Sequence, residues 1–249
     1  MIDRRMLVVV ALVAGVAACH GRGDSEARDA GPDVTRHYSV GNFDKLVSAG
    51  PYDVTVVSGG QPGQIDGVGG SNLLDQTEVV IDDGALQIRP KEHHGISWPW
   101  DWHSGWSTDG HARFTVHAGP LKEATMAGSG NLAIDKVVGE FEGTIAGSGN
   151  IDLAAVDATK IKLTIAGSGN TKAAGKAVSG EYSIAGSGDM VLTGLQAETI
   201  EATVAGSGSI AAHASKSAEI NIMGSGDVDV AGGGKCTVQK AGAGTANCH

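Results

Sequence analysis

Residues 160–170 read Lys-Ile-Lys-Leu-Thr-Ile-Ala-Gly-Ser-Gly-Asn, and this short stretch decides the fold. Ile161, Leu163 and Ile165 alternate with polar residues, which is the period-two pattern of a β-strand with one buried face. The two glycines that follow allow positive φ and therefore a sharp turn. The stretch predicts a strand that ends in a tight glycine corner.

The same corner recurs at nearly equal intervals. Ala-Gly-Ser-Gly starts at positions 127, 146, 166, 185 and 205, and two variants start at Met223 and Ala241, so the interval is 18 to 20 residues. A strand–helix–strand unit needs roughly 30 residues, whereas two or three short strands fit this interval. We therefore predict an all-β chain, a right-handed parallel β-helix (β-solenoid) with coils of about 19 residues.

The residue before each corner is aliphatic. Equivalent positions of a parallel solenoid stack ~4.8 Å apart, so these residues are predicted to form one inward ladder: Ile145, Ile165, Ile184, Val204 and Ile222.

The residue after the corner is often Asn or Asp, at positions 150, 170, 189 and 227. An outward ladder of such residues could bind calcium. Turn chemistry is the favoured interpretation, because Asn and Asp tolerate turn backbone angles and the nonapeptide calcium-binding repeat has a different period.

The N-terminal segment, residues 1–18, has the features of a signal peptide. Arg4 and Arg5 precede an apolar run that is too short to cross a membrane as a helix. Val16-Ala17-Ala18-Cys19 resembles a bacterial lipobox, and we favour lipidation of Cys19 over ordinary cleavage that leaves a free thiol. Aspartate directly after the lipidated cysteine is the signal that retains Gram-negative lipoproteins at the inner membrane, and this chain has His20 there. We therefore expect a lipid-anchored protein of the cell envelope, at the outer membrane, on its periplasmic or surface face.

Residues 19–35 lack an apolar pattern and are predicted to be a flexible tether. Residues 36–249 are predicted to form a single β-solenoid domain whose N-terminal part is β-rich but irregular. Within it, Asp82-Asp83-Gly84 indicates a hairpin turn, and residues 49–56 look like a degraded copy of residues 223–230.

Charge and cysteine content restrict the partners. The chain has 18 Lys and Arg against 28 Asp and Glu, a net charge of −10, which argues against nucleic acid as a ligand.

Cys236 and Cys248 are predicted to form a disulfide that closes the last coil of an exported protein. A zinc pair with His249 alongside is the weaker alternative. We expect no cofactor and no resident metal ion.

Several stretches together resemble a known family. They are Phe43-Asp44-Lys45-Leu46, the strand Tyr52–Val57, Leu73-Leu74-Asp75, residues 84–88 and the repeated Gly-Ser-Gly-Asn/Asp-Ile/Val. This pattern is similar to the auto-transporter adhesin head GIN domain over roughly residues 43–230. The resemblance implies a β-helical fold and a cell-envelope location, and it brings no catalytic residues.

A tryptophan-rich insert, residues 91–111, is not part of that pattern. It holds Trp98, Trp100, Trp102 and Trp106, together with His103. These five residues are the predicted binding site, an aromatic surface for sugar rings, lipid or a protein partner. The insert could instead plug the end of the solenoid. A histidine metal site is less favoured, because no spacing places His93, His94, His103 and His111 on one face.

The leading functional prediction is a non-enzymatic envelope or cell-surface module that binds polysaccharide or protein. One alternative is a polysaccharide lyase or hydrolase, which needs convergent carboxylates or a positioned base, whereas Lys160, Lys162 and Asp152 are scattered along the repeats. Another is a purely structural envelope lipoprotein. A homo-oligomer is compatible with each of these.

Overall fold

A computed structural model describes residues 30–91 and 111–249. These residues form seventeen strands and one short helix. In chain order the elements are β1 (Asp33–Ser39), β2 (Lys45–Ala49), β3 (Tyr52–Ser58), β4 (Gln64–Gly70), α1 (Ser71–Asp75), β5 (Thr77–Asp82), β6 (Ala85–Pro90), β7 (Ala112–Ala118), β8 (Glu123–Gly128), β9 (Asn131–Ile134), β10 (Val137–Gly147), β11 (Asn150–Gly167), β12 (Asn170–Gly186), β13 (Asp189–Gly206), β14 (Ser209–Gly224), β15 (Asp227–Ala231), β16 (Lys235–Gly242) and β17 (Thr245–Cys248).

The repeats stack as parallel strands, which confirms the predicted β-solenoid. From β10 to β14 each long strand pairs in register with the next, and β15, β16 and β17 complete the stack. The predicted inward ladder is also confirmed. Its five members are paired in sequence and each is at most 1% exposed: Ile145, Ile165, Ile184, Val204 and Ile222.

The corners hold the coils together through their backbone. The amide of Ser168 donates to the carbonyl oxygen of Gly147 at 2.9 Å, and the same contact recurs from Ser148 to Ser225. Gly167 has φ of +140°, and its Cα lies so close to Gly147 that a Cβ would overlap that carbonyl. The corner therefore requires glycine both for its φ angle and for the close approach of neighbouring coils.

The N-terminal half continues the solenoid. Ala49 pairs with Ala127 and Asp53 with Asn131 in parallel strands, so the degraded repeat at residues 49–56 stacks directly on the first regular corner. Beneath it, β6 pairs with β2 and β7 with β3. Asp83 and Gly84, both at positive φ, connect β5 to β6 as the predicted hairpin.

Antiparallel strands close this end. β4 pairs with β7, and β1 pairs with β4 from Asp33 onward. Residues 33–35, which we predicted to belong to the tether, are therefore in a strand. The reason is the long-range pairing with β4, since the local sequence carries no apolar pattern.

Helix α1 adds apolar side chains to the N-terminal end of the core. Leu73 and Leu74 are each 1% exposed. The hydroxyl of Thr77 donates to the carbonyl oxygen of Leu73 at 2.9 Å and lies 3.2 Å from the hydroxyl of Tyr52. The Tyr52 ring packs edge-on against Phe114, with centroids 5.6 Å apart.

Candidate functional site

One surface of the solenoid is built identically in coil after coil. We call it the corner edge, and it consists of the corner residues and the residue that follows each corner. It presents one exposed serine per regular coil, at positions 129, 148, 168, 187, 207 and 225. Within the described part of the chain, the hydroxyls of these serines make no hydrogen bond, so they are available to a ligand.

A column of polar side chains runs beside these serines. Asn131 donates to Asp53 at 2.7 Å, Asn150 donates to Asn131 at 2.8 Å, and Asn170 donates to Asn150 at 3.0 Å. Farther along, one carboxylate oxygen of Asp189 accepts from the amide and hydroxyl of Ser209 at 3.0 and 2.6 Å. These hydrogen bonds link adjacent coils on the outside of the solenoid.

The column ends with the same kind of contact. The carboxylate of Asp227 accepts from the amide and hydroxyl of Thr245, and the hydroxyl hydrogen bond lowers the pKa of the Asp227 carboxyl. The expectation that Asn and Asp stand here for turn chemistry is wrong. Among the described residues only Asp83 is a non-glycine at positive φ, so these side chains serve to link coils.

The tryptophan-rich insert begins and ends at this edge. Strand β6 ends where every regular coil has its corner, and Ala112 at the start of β7 pairs with Tyr52, the first residue after the degraded corner. Lys91 is tied down by its amide to Gln76 O and by its ammonium group to Asp75 O, each at 2.7 Å. The predicted binding residues Trp98, Trp100, Trp102, Trp106 and His103 themselves lie outside the described residues, as does Cys19.

A second feature is a shallow groove on the strands that precede the corner. It has a volume of about 630 Å³ and is bordered by two columns of side chains. One column is acidic (Glu181, Glu201, Glu219), the other carries hydroxyls (Ser179, Thr199, Ser217), and Lys160 and Lys235 lie at the two ends. Lys160 approaches Glu181 at 3.6 Å.

Closer pairs of glutamate and lysine occur in the lower coils, on the same face of the solenoid. Lys45 meets Glu123 at 3.2 Å, and Lys162 meets Glu142 at 2.8 Å; the latter hydrogen bond raises the pKa of Lys162. Sequence reasoning missed this groove. A signal was present, because the fourth residue before the corner is Glu in most coils.

The predicted disulfide between Cys236 and Cys248 is present. The alternative of a zinc site at these cysteines is therefore wrong, because the two sulfur atoms are bonded to each other. The His249 ring instead approaches Asp229 at 3.3 Å. Across residues 30–91 and 111–249, no group of three His, Cys, Asp or Glu side chains could hold a metal ion.

Comparison with known proteins finds one protein family whose pattern covers most of this chain. A family model described as "Putative auto-transporter adhesin, head GIN domain" matches residues 42–234. No curated protein matches the chain. In the described ranges no helix has the length and apolar character needed to cross a membrane.

Solved structures share the fold. A "putative adhesin" from Bacteroides fragilis is 20% identical, with a TM-score of 0.75 over 89% of this chain and 99% of its own. A "putative lipid binding protein" from Parabacteroides distasonis is 24% identical, with a TM-score of 0.69 over 89% and 98%. A "putative adhesin" from Parabacteroides merdae is 19% identical, with a TM-score of 0.65 over 88% and 97%. At these identities the likeness concerns the fold.

Proposed function

Since the chain belongs to the auto-transporter adhesin head GIN domain family, we propose that it is a non-enzymatic, adhesin-like module of the cell envelope. Its ligand in this proposal is an extended polysaccharide that lies along the corner edge. The aromatic insert grips one end of the polymer, and the polar side chains of successive coils contact the rest.

The observation that carries the proposal is the position of the insert. Its two attachment points are at the corner edge, and Arg113, two residues after the insert, pairs with Asp53 at the start of the polar column. Tryptophan rings supply flat apolar faces for stacking on sugar rings. The column then supplies one polar side chain every ~4.8 Å, a regular array suited to a polymer with regularly spaced hydroxyl groups.

The core of the described residues favours a binding role for the insert over a plug. Leu73 and Leu74 of α1 and Ile65 of β4 already lie in the core at the N-terminal end, each at most 1% exposed. A further apolar plug is not required there. Functional residues also tend to lie on loops that a rigid scaffold positions, and the hydrogen bonds of Lys91 anchor one end of this insert.

The geometry of the groove supports a non-enzymatic role. Glycoside hydrolysis uses two carboxyl groups that flank the scissile bond from different sides. Glu181, Glu201 and Glu219 instead occupy one column on adjacent strands, so they face a ligand from the same side. This arrangement suits binding better than acid–base catalysis.

The proposal also includes an anchored location. Lipidation of Cys19 attaches the chain to the outer membrane, and the residues between Cys19 and β1 serve as the tether that holds the solenoid away from the lipid surface. This part rests on the lipobox-like sequence before Cys19.

The test is binding of the purified full chain to a panel of envelope and host polysaccharides and, separately, to envelope proteins, with three variants. Trp100→Ala with Trp102→Ala removes two rings of the insert, and Ser168→Arg with Ser187→Arg obstructs the corner edge. The matched control places the same two arginines at Ala155 and Val178, which are exposed on the return segment of the coil.

We expect the insert variant to lose binding with a melting temperature within about 2 °C of the parent. The edge variant should bind about tenfold more weakly, and the control should bind like the parent. If envelope proteins bind and no polysaccharide does, the polysaccharide part of the proposal is wrong. If the insert variant unfolds at much lower temperature, the insert is a core plug.

A further inference from the structure

We infer that the disulfide between Cys236 and Cys248 is a reducible latch that keeps the last coil closed over the C-terminal end of the solenoid. Cys236 pairs with Ala218 and Cys248 pairs with Val230. Both partners are buried inward residues, at 2% exposure each. The disulfide therefore connects two faces of the solenoid across the open end of its core.

Apart from its strand pairing and the polar contacts of Thr245 and His249 with the coil below, the last coil has little apolar packing to hold it. Its other inward positions carry Ala246, which is half-buried, and Val238, which is 45% exposed. At a further inward position Lys240 pairs with Ile222 and so replaces an aliphatic side chain in the inward ladder. Among the strands of residues 30–91 and 111–249, β16 pairs with β14 alone and β17 with β15 alone. Ordering a coil costs backbone entropy at each residue, and this coil buries too little apolar surface to offset that cost.

The two ends of the solenoid are closed by different means. At the N-terminal end, α1 and the antiparallel strands place apolar residues such as Leu73 and Ile65 in the core. At the C-terminal end the disulfide between Cys236 and Cys248, together with Lys240, covers the core instead. Only the C-terminal end can therefore be opened by a change of redox state.

The disulfide is accessible for this reaction. Cys248 is exposed and Cys236 is half-buried, and exposed disulfides are the more readily reduced ones. A thiolate of a dithiol reductant attacks the Cys248 sulfur, the sulfur–sulfur bond breaks, and Cys236 leaves as a thiolate that takes up a proton. The second thiol of the reductant then displaces Cys248 as a thiol and forms the cyclic disulfide. Two electrons and two protons pass from the reductant to the protein.

Opening of the coil changes the surface. Ile220, Ile222, Val228 and Val230, each at most 2% exposed in the closed state, lose their cover, and the outer edges of β14 and β15 lose their hydrogen-bond partners. Unpaired strand edges accept further strands. In the oxidised state β16 and β17 cover those edges. The inward-pointing Lys240 of β16 then disfavours pairing of a further strand with the last coil.

Native-state amide hydrogen exchange of the full chain tests this inference, with and without dithiothreitol. In the reduced protein, residues 227–249 should exchange about a hundredfold faster, the effect expected from the loop that this disulfide closes. Residues 150–186 serve as the internal control and should not change. The double variant Cys236→Ser, Cys248→Ser should behave like the reduced protein without any reductant.

A second variant separates the latch from general destabilisation. Lys240→Ile restores the aliphatic ladder, so in the reduced state it should return most of the lost protection to β16. The inference is overturned if reduction of the native protein requires denaturant, if exchange in residues 227–249 is unchanged on reduction, or if the central coils accelerate equally.

Discussion

Tyr182 fills the space that Gly180 leaves in the core of the same strand. A Cβ on Gly180 would overlap the phenol oxygen and ring of Tyr182, which is 1% exposed. Phe141 and Gly143 are arranged in the same way two coils below, where a Cβ on Gly143 would lie 3.2 Å from the Phe141 ring and 2.9 Å from Leu163. In each pair a glycine two residues away makes room for one aromatic ring inside a narrow coil.

The variant Gly180→Ala should therefore destabilise the protein by about 2–3 kcal/mol, the usual cost of overpacking a close-packed core. Urea unfolding followed by circular dichroism measures the change. Gly41→Ala is the control, because Gly41 is exposed, is not at positive φ, and a Cβ there meets nothing within 4 Å; it should change the stability by less than about 1 kcal/mol. Equal effects at the two sites would contradict the packing argument.

Burial of Tyr182 also predicts a loss of stability at alkaline pH. Burial raises the pKa of its phenol well above the ordinary value. The unfolded chain ionises near pH 10, whereas the folded chain keeps the proton, so the stabilisation is complete below that pH and declines as the pH rises toward the folded-state pKa.

Relative to Tyr182→Phe, the parent should lose about 1.4 kcal/mol of unfolding free energy per pH unit above pH 10. Urea unfolding at pH 9, 10 and 11 provides the measurement. The difference between the two proteins should be constant below pH 9, and parallel curves up to pH 11 would count against a buried neutral phenol.

Ser48 interrupts the inward aliphatic ladder. It pairs with Ile88 on one side and Met126 on the other and is fully buried, and its hydroxyl has no hydrogen-bond partner among the residues that the structure describes. Ser48→Ala should therefore raise the unfolding free energy by about 1 kcal/mol, since a buried unpaired hydroxyl is unfavourable. Ser183→Ala, on the outer face of a strand, should be close to neutral. A stability decrease in Ser48→Ala would reveal a partner for the hydroxyl.

Substitutions at two glycines distinguish the cost of close contact between neighbouring coils from the cost of a positive φ angle. Gly167 and Gly139 both have positive φ, but a Cβ would overlap Gly147 O at the first site and meets nothing within 4 Å at the second. Gly139→Ala should cost about 1–2 kcal/mol, the penalty for positive φ. Gly167→Ala should cost clearly more, or abolish folding. Thermal unfolding measures both, and equal costs would mean that coil contact is unimportant.

The anchor can be tested at Cys19. In the expressing bacterium, Cys19→Ala should move the protein from the membrane fraction to the soluble fraction and abolish labelling with palmitate. Cys236→Ala is the matched cysteine control and should leave the distribution unchanged. Persistent palmitate labelling of the Cys19→Ala protein would contradict lipidation at this residue.

The sequence by itself determined the coil. The period of 18 to 20 residues, the alternation in strands such as residues 160–165 and the paired glycines are all local consequences of which side chains must be buried and where the chain must turn. Strand pairing follows from them, because equal coils can stack only in register. The hairpin at Asp83 and Gly84 was predictable for the same reason. The pairing of Cys236 with Cys248 was predictable on a different ground, since an exported chain with these two cysteines is expected to form a disulfide.

Only the tertiary structure decided which outward residues share a surface. Outward side chains have no burial constraint, and the return segments contain register irregularities, for example between Leu153 and Val156. The alignment of Glu181, Glu201 and Glu219 beside a groove, and the attachment of the insert at the corner edge, depend on how those segments bring separate coils together. The same holds for β1, whose pairing with β4 is a contact between distant parts of the chain that no local pattern encodes.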